Sequence, residues 1–147
     1  MSIFPTRILL ATDGSREAQL AATTAVDLAQ GTNSELHVVT VGPDLPLYEL
    51  PEHPADFEDV LQEQRRGAKE VLEQQIKRIE ESGGTVNERY LREGRADEEI
   101  VVLAQEIGAG LIVMGSRGQG RIRRALMGSV SDSVLRHAHC PVAIIRE

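Results

Sequence analysis

The chain has 147 residues, a length that suits one domain built around a single core. It carries 23 acidic residues against 16 lysines and arginines, a net charge of −7, which is the wrong sign for a protein that neutralises nucleic-acid phosphates. With two phenylalanines, two tyrosines and no tryptophan, a stacking platform for single-stranded bases is not expected either.

No segment predicts export or membrane insertion. The first apolar run covers residues 8–11 and is too short for a signal peptide or a membrane span. The one cysteine, Cys140, cannot form an intramolecular disulfide, so an oxidising compartment is not indicated. We therefore expect a cytoplasmic protein that contacts neither membranes nor nucleic acid.

Five short apolar runs predict five β-strands. Most of them are unbroken rather than alternating, which is typical of parallel strands covered on both faces. The predicted strands cover residues 8–11, 36–41, 86–91, 111–114 and 142–145.

Four helices are predicted between the strands. The first begins after Ser15, a good N-cap, and repeats alanines at helical spacing, so that it can lie close on a sheet. The second is predicted over residues 56–82 and the third over residues 96–107, each followed by glycine. The fourth begins near Gly128 and continues toward Pro141.

Strands and helices thus alternate as βαβαβαβαβ. This order predicts a single-domain α/β fold over residues 1–147, with an open five-stranded parallel sheet, right-handed crossovers and helices on both faces. The irregular stretch over residues 42–55 contains four prolines, and we interpret it as a mobile surface connector rather than a flap over a ligand.

Residues 115–131 carry the strongest functional signal. Between residues 115 and 128 there are four arginines and no acid, so the rest of the chain has a net charge of −11. Glycines let backbone N–H groups approach an anion, and the helix that starts at Gly128 offers further N–H groups. A solvated Gly/Arg loop is the alternative, but the position between an apolar strand and a helix, at the carboxyl edge of a parallel sheet, favours a phosphate site.

Two common nucleotide fingerprints do not fit this segment. The Gly-x-x-x-x-Gly-Lys-Ser/Thr pattern of P-loop proteins is absent from the sequence. Gly118 and Gly120 begin a dinucleotide-binding pattern, but Arg123 stands where its third glycine belongs. Neither a P-loop NTPase nor an ordinary NAD-binding domain is supported.

The spacing of Gly115, Gly118 and Gly128-Ser129 instead resembles the ATP-binding signature of the universal stress protein family, Gly-x2-Gly-x9-Gly-Ser/Thr. The resemblance covers the whole chain, because the Asp13-Gly14-Ser15 turn and the strands around residues 7–11, 36–41, 109–116 and 139–145 follow in the family's order. It implies a Rossmann-like sheet of the adenine nucleotide alpha hydrolase-like type, with strand order 3-2-1-4-5.

The resemblance also implies which residues bind the nucleotide. The nucleoside contacts would come from the ends of the first, second and fourth strands, which are Ala11, Thr12, Asp13, Val41, Met114 and Gly115. The phosphate contacts would come from Ser116, Arg117, Gly118, Gln119, Gly120, Gly128, Ser129, Val130 and Ser131. Ala11 and Arg95 depart from the family pattern, since many members have proline at these two positions.

No catalytic residue and no metal ligand is assigned from the sequence. Asp13 is interpreted as a nucleotide contact or a cap of the first helix, because no partner base can be named for it. Four histidines and one cysteine without paired spacing do not predict a zinc site. Mg²⁺ or Mn²⁺ could accompany the phosphates of ATP and would be recruited mostly by the nucleotide.

The last predicted strand, Val142–Ile145, indicates how the protein assembles. In the family's strand order it lies at a sheet edge, and an uncharged edge can pair with another chain, so the resemblance implies a two-fold homodimer. We predict an ATP-binding, homodimeric stress-response protein that senses nucleotide and acts through unidentified protein partners. A slow ATP hydrolase or phosphotransferase, and a nucleotide-free interaction module, stay open as alternatives.

Overall fold

The computed structural model describes residues 2–43, 52, 54–117 and 128–147. Within these ranges the chain forms five strands and four helices in strict alternation, which confirms the predicted element order. The strands are β1 (Arg7–Ala11), β2 (Glu35–Gly42), β3 (Glu88–Glu93), β4 (Leu111–Gly115) and β5 (Val142–Ile145). The helices are α1 (Arg16–Thr32), α2 (Pro54–Glu81), α3 (Ala96–Ile107) and α4 (Ser129–His137).

The five strands form one parallel sheet in the order β3-β2-β1-β4-β5, as predicted. Leu9 of β1 lies opposite His37 of β2 on one side and Ile112 of β4 on the other. The chain winds toward β3 on one side of β1 and toward β5 on the other. The carboxyl ends of β1 and β4 therefore flank the crevice in which parallel sheets bind their ligands.

Successive strand residues alternate between two hydrophobic clusters, one on each face of the sheet. Ile8 and Leu10 pack with α1 and α2 in the first cluster. Leu9 and Ala11 pack with α3 and α4 in the second. This explains the unbroken apolar runs, because a strand buried on both faces needs an apolar side chain at every position.

Helix α1 lies close on the sheet through its alanines. Ala21 and Ala25 are fully buried, and a helix face this small lets the backbone approach the strands. The predicted N-cap is confirmed, since the Ser15 Oγ accepts a hydrogen bond from the Ala18 N–H at 3.2 Å. The helix ends at Thr32, and its C-cap, Asn33, has a left-handed φ of 57°.

Several predicted boundaries were wrong. The third strand begins at Glu88 instead of residue 86, because the side chain of Asn87 accepts the Leu36 N–H at 2.9 Å in place of a strand carbonyl. Val86 still packs against the first cluster, which accounts for its apolar character. Helix α4 ends at His137 instead of continuing to Pro141.

The predicted loop over residues 42–55 is also too long at both ends. Gly42 is the last residue of β2, and Pro54 is the first residue of α2, a position that needs no backbone N–H. Residues 44–51 and 53, to which the prediction of a mobile connector mainly refers, lie outside the described residues. Among the helices that the structure describes, none has the length and apolar character that a bilayer crossing requires.

Candidate functional site

A cavity of about 230 Å³ opens at the carboxyl ends of β1, β2 and β4. The start of α1 closes it on one side, and the first turns of α3 and α4 close it on the other. It therefore occupies the crevice that the strand order creates, where the sequence predicts the ligand.

Eleven of the fifteen predicted site residues line this cavity, and they come from four separate parts of the chain. They are Ala11, Thr12, Asp13, Val41, Met114, Gly115, Ser116, Arg117, Gly128, Val130 and Ser131. Ser129 is the first residue of α4, next to these residues but not part of the lining. Gly118, Gln119 and Gly120 lie outside the described residues.

Five further lining residues were not predicted. Ser15 and Ala18 come from the start of α1, Val39 from β2, and Ala96 and Ile100 from the first turns of α3. Val39 could have been found, because it lies two residues before Val41 and side chains two apart share one face of a strand. Ala96 and Ile100 carry no such signal, since only the packing of α3 over the sheet brings them here.

One end of the cavity is an apolar slot. It is formed by Ala11, Val39 and Met114 from the sheet, with Val41 beside them and Ile100 from α3 above. These side chains all belong to the second hydrophobic cluster or pack against it. A slot with apolar walls and strand backbone at its rim suits a flat heterocycle that needs a few directed hydrogen bonds.

Thr12 lies at the base of the site and is held from three directions. Its N–H donates to the Val39 carbonyl at 3.0 Å, and its carbonyl accepts from the Thr40 hydroxyl at 3.0 Å. Its own hydroxyl donates to the Gln75 Oε1 at 2.7 Å, which ties the end of β1 to α2. The backbone at the switch point is thus rigidly placed by buried hydrogen bonds.

Asp13 follows at the rim and shapes the turn into α1. Its Oδ1 accepts the Ser15 N–H at 2.9 Å, the hydrogen bond of an Asx turn. The sequence suggests either a cap of the first helix or a nucleotide contact for Asp13. The cap is Ser15, and Asp13 shapes the turn before it. Asp13 also lines the cavity, so its position is compatible with the role of a nucleotide contact.

The other end of the cavity is polar and is built around the backbone of Ser116. The Ser116 carbonyl accepts from the Gly128 N–H at 2.6 Å and from the Ser131 hydroxyl at 2.6 Å. A Cβ added at Gly128 would lie 3.1 Å from that carbonyl oxygen, a tight contact, so glycine favours the close approach. Ser116, which follows β4, is therefore joined directly to the start of α4.

Gly115 is required by the packing of α1 against β4. A Cβ added there would lie 2.9 Å from the Cβ and 3.0 Å from the carbonyl carbon of Glu17. The second of these atoms is backbone, so the helix itself would have to move. The first glycine of the signature thus brings the start of α1 close to the polar end of the cavity.

Glu17 is the unpredicted residue with the most consequence for the site. It is only 5% exposed, and its carboxylate accepts hydrogen bonds from the Ser116 hydroxyl and from the Arg117 Nε, the latter at 2.9 Å. Burial on its own raises the pKa of Glu17, but the hydrogen bonds from Ser116 and Arg117 and the positive charge of Arg117 outweigh it. The pKa lies below its ordinary value, so the carboxylate is ionised at neutral pH.

His37 and Cys140, two of the residues considered for a zinc site, are occupied in packing. His37 is buried in β2, with its Nδ1 2.9 Å from the Tyr90 hydroxyl and its Nε2 2.9 Å from a Glu35 carboxylate oxygen. Cys140 packs against the second cluster, and burial raises the pKa of its thiol. Across the described ranges, no three His, Cys, Asp or Glu side chains come together as a metal site would require.

Comparison with known proteins agrees with this architecture over almost the entire chain. The sequence profile of the universal stress protein family matches residues 5–146. Universal stress protein MJ0531 of Methanocaldococcus jannaschii is 33% identical over 141 residues, which cover 96% of this chain and 82% of that protein.

Solved structures of similar proteins have the same fold. Universal stress protein UspA from Lactobacillus plantarum superimposes with a TM-score of 0.82 at 27% identity, covering 99% of this chain and 100% of that one. A universal stress protein in complex with cAMP has a TM-score of 0.68 at 26% identity, with 97% and 98% of the two chains covered. The universal stress protein from Archaeoglobus fulgidus in complex with dAMP has the same TM-score and identity, with 98% and 99% covered.

The family profile, the curated relative and the solved structures thus agree with one another, and each of them spans nearly the full length of the sequence. The fold, the strand order and the cavity at the switch point are consistent with that agreement. The chain belongs to the universal stress protein family.

Proposed function

We propose that this protein binds adenosine nucleotides, with ATP as the principal ligand, in the cavity at the carboxyl ends of β1, β2 and β4. The observation that supports this most directly is the division of one cavity into an apolar slot and a polar end. The apolar slot carries Val41 and Ile100, and the polar end is closed by the signature glycines Gly115 and Gly128.

Each part of ATP has a chemically suitable counterpart. The apolar slot that Val41 and Ile100 help to line would take the adenine ring, with the backbone at the strand ends hydrogen-bonded to its polar edge. The turn at Thr12 and Asp13 would lie beside the ribose. The N–H groups that begin α4, with the hydroxyl of Ser129, would take phosphate oxygens, because a helix N-terminus favours negative charge. The Ser131 hydroxyl would support them indirectly, since it donates to the Ser116 carbonyl.

Mg²⁺ or Mn²⁺ would enter with the polyphosphate of ATP. The carboxylate of Asp13 lines the cavity and is the residue whose oxygen chemistry suits such an ion. A dedicated hydrolase is a weaker candidate. Among the described lining residues, Asp13 is the only side chain that could accept a proton from water, and no second acid or base accompanies it.

An adenosine monophosphate is the second candidate ligand. Two similar proteins are complexes with cAMP and with dAMP, each of which carries one phosphate. In addition, Arg117 is the only cation among the described lining residues, and its Nε is paired with Glu17. A site whose cation is already partly neutralised has less need of a highly charged ligand.

Calorimetric titration with ATP, ADP, AMP and cAMP tests this function. We expect ATP to bind, and at 100 times its Kd to stabilise the fold by about 2.7 kcal/mol in a thermal melt. Gly118→Asp, which puts a carboxylate into the signature segment, should abolish the binding. Gly67→Asp is a matched control with the same charge change, because Gly67 is exposed in α2 with open space around it.

The pattern across the four ligands distinguishes the candidates. Tighter binding of cAMP or AMP than of ATP would favour an adenosine monophosphate as the ligand. The absence of binding by all four to folded protein would contradict the nucleotide proposal and favour an interaction module without nucleotide. Release of inorganic phosphate from ATP, abolished by Asp13→Ala, would favour the hydrolase.

We further propose that the protein is a cytoplasmic homodimer that passes nucleotide occupancy on to protein partners. The support is the difference between the two sheet edges. β3 reads Glu-Arg-Tyr-Leu-Arg-Glu and is protected by charge, whereas β5 reads Val-Ala-Ile-Ile and has none. An uncharged edge strand with half-buried side chains is suited to pairing with the same strand of a second copy.

A further inference from the structure

We infer that Glu17 is a positioning residue for the phosphate end of the proposed nucleotide site, where its buried carboxylate holds Ser116 and Arg117 in the orientation that the ligand meets. The inference rests on the proposed function, since it concerns the same cavity. Glu17 itself does not line the cavity, whereas both of its partners do. Apart from the direct effect of its charge, any influence of Glu17 on the ligand must therefore pass through them.

Both carboxylate oxygens of Glu17 are engaged by the residues it would position. The Ser116 hydroxyl donates to Oε2, and the Arg117 Nε donates to Oε1 at 2.9 Å. Ser116 is also fixed through its carbonyl, which accepts from Gly128 and Ser131. Glu17 thereby connects the first turn of α1 to Ser116, whose carbonyl in turn binds Gly128 at the start of α4.

The location of this carboxylate argues for a role beyond packing. A carboxylate that is 5% exposed carries a large desolvation penalty, which a well-packed apolar side chain of similar volume would avoid. Its position in the first turn of α1 offsets part of that penalty, because the helix N-terminus favours negative charge. The hydrogen bonds from Ser116 and Arg117 offset the remaining penalty. The same two hydrogen bonds hold Ser116 and Arg117 in place.

If Glu17 acted only through its charge, its neutralisation would have the opposite effect on ATP affinity from the one that a positioning role predicts. This difference makes the inference testable. A carboxylate beside a phosphate site repels the ligand, so its neutralisation should tighten ATP binding if charge were its only effect. Glutamine has the same shape but no charge and a single acceptor oxygen, so it cannot keep both hydrogen bonds in their charge-assisted form. Arg117 is then held less firmly before the ligand arrives, and the cost of ordering it during binding weakens the affinity.

The experiment measures the affinity for ATP by titration calorimetry and the affinity for adenosine by displacement of bound ATP. Both are measured for the parent protein and for Glu17→Gln. We expect Glu17→Gln to weaken ATP binding about tenfold, because the change acts at the phosphate end. Adenosine, which has no phosphate, should bind within about twofold of the parent value. Glu80→Gln, an exposed position of α2, is the matched control and should leave both ligands unaffected.

Three outcomes would overturn the inference. Unchanged or tighter ATP binding by Glu17→Gln would mean that the carboxylate is a bystander. A parallel loss of ATP and adenosine would mean that Glu17 only supports the fold. If circular dichroism indicates that Glu17→Gln does not fold, Arg117→Gln decides instead, and ATP affinity equal to that of the parent would refute a positioned Arg117.

These results remain distinguishable from failure of the proposed function. If the parent protein binds neither ATP nor adenosine, the nucleotide proposal itself fails and the role of Glu17 falls with it. If the parent binds both and Glu17→Gln behaves like Glu80→Gln, only the positioning role is refuted.

Discussion

Thr12 is the residue at which three elements of the fold meet. It directly follows β1, its backbone is hydrogen-bonded to β2, and its hydroxyl donates to Gln75 of α2. Gln75 is 1% exposed and also donates to the Gln19 Oε1 at 3.1 Å. A buried amide between two polar partners in an otherwise apolar helix face fixes the end of β1 against the helices on that side of the sheet.

Replacement of this amide should destabilise the fold. Gln75→Met preserves the volume but leaves the Thr12 hydroxyl without its acceptor, so we expect the free energy of unfolding to fall by about 1–3 kcal/mol in urea denaturation. Gln74→Met, one position along on the exposed face, should change it by less than about 0.5 kcal/mol. Equal stabilities of the two variants would contradict the importance of this hydrogen bond.

Among single residues, the sequence predicted those cavity-lining residues whose position is determined by the backbone. Gly115 and Gly128 belong to a spacing pattern, and Ala11 and Val41 follow from strand ends. Glu17 could not be found in this way, because an acid in the first turn of a helix normally faces water and its partner Ser116 is 99 residues away. The same holds for Gln75, which is 63 residues from Thr12.

At the scale of elements, α3 and α4 are joined by a polar contact beside their apolar one. The Asp97 Oδ2 accepts from the Ser133 hydroxyl at 2.7 Å and from an Arg95 guanidinium nitrogen at 2.9 Å. Burial on its own raises the pKa of Asp97, but the hydrogen bonds from Ser133 and Arg95 outweigh it and place the pKa below its ordinary value. The helices that cover one side of the cavity are thus partly held together by an ionised carboxylate.

This contact should make stability depend on pH. A carboxyl group with a lowered pKa in the folded state contributes stability above the pKa of the unfolded chain, about 3.9, and loses it as the pH falls through the folded value. We expect Asp97→Asn to lower the free energy of unfolding by about 1–2 kcal/mol at pH 7. The difference from the parent should shrink in urea denaturation as the pH falls below about 3.9.

Glu98→Gln is the control for this experiment, because Glu98 is the exposed neighbour of Asp97 in the same helical turn. It should not alter the stability by more than about 0.5 kcal/mol at either pH. A deficit of Asp97→Asn that is the same at pH 7 and pH 3 would attribute the effect to shape rather than to charge.

Element boundaries were predictable where backbone chemistry determines them and not elsewhere. Ser15 and Gly108 cap helices by local hydrogen bonds, and both were identified from the sequence. The start of β3 depends on the side chain of Asn87 across the sheet, a contact with no local signal. Strand β3 is also the most exposed strand, so its pattern of apolar residues is the weakest guide.

At the scale of the whole molecule, the sheet has two edges of different character, and β5 is the one proposed to pair. Ile144→Lys places a charge in the middle of that edge. We expect the parent protein to have twice the mass of one chain by light scattering after gel filtration, and Ile144→Lys to have the mass of one chain. Its far-UV circular dichroism should match that of the parent.

Val60→Lys is the matched control, because Val60 is an exposed apolar residue of α2, a helix that packs on β2 and β3 rather than on β5. It should remain dimeric. A folded Ile144→Lys variant that stays dimeric would refute β5 as the interface, and a monomeric parent would refute the dimer.

The overall topology was the most predictable level. Alternating apolar runs and amphipathic segments allow few arrangements other than a parallel sheet with crossovers. The order of strands came from the resemblance to a family, because the apolar runs are too similar to indicate which of them are neighbours.

The cavity also has a consequence for how the molecule comes apart. Ala18 belongs to the helical layer on one side of the sheet, whereas Ile100 and Val130 belong to the layer on the other, and all three line the same space. A small molecule held there would touch both layers, so neither could peel away from the strands without first releasing it. Occupancy would then slow proteolysis throughout the domain, and the amount of intact protein in a cell would follow the supply of its ligand.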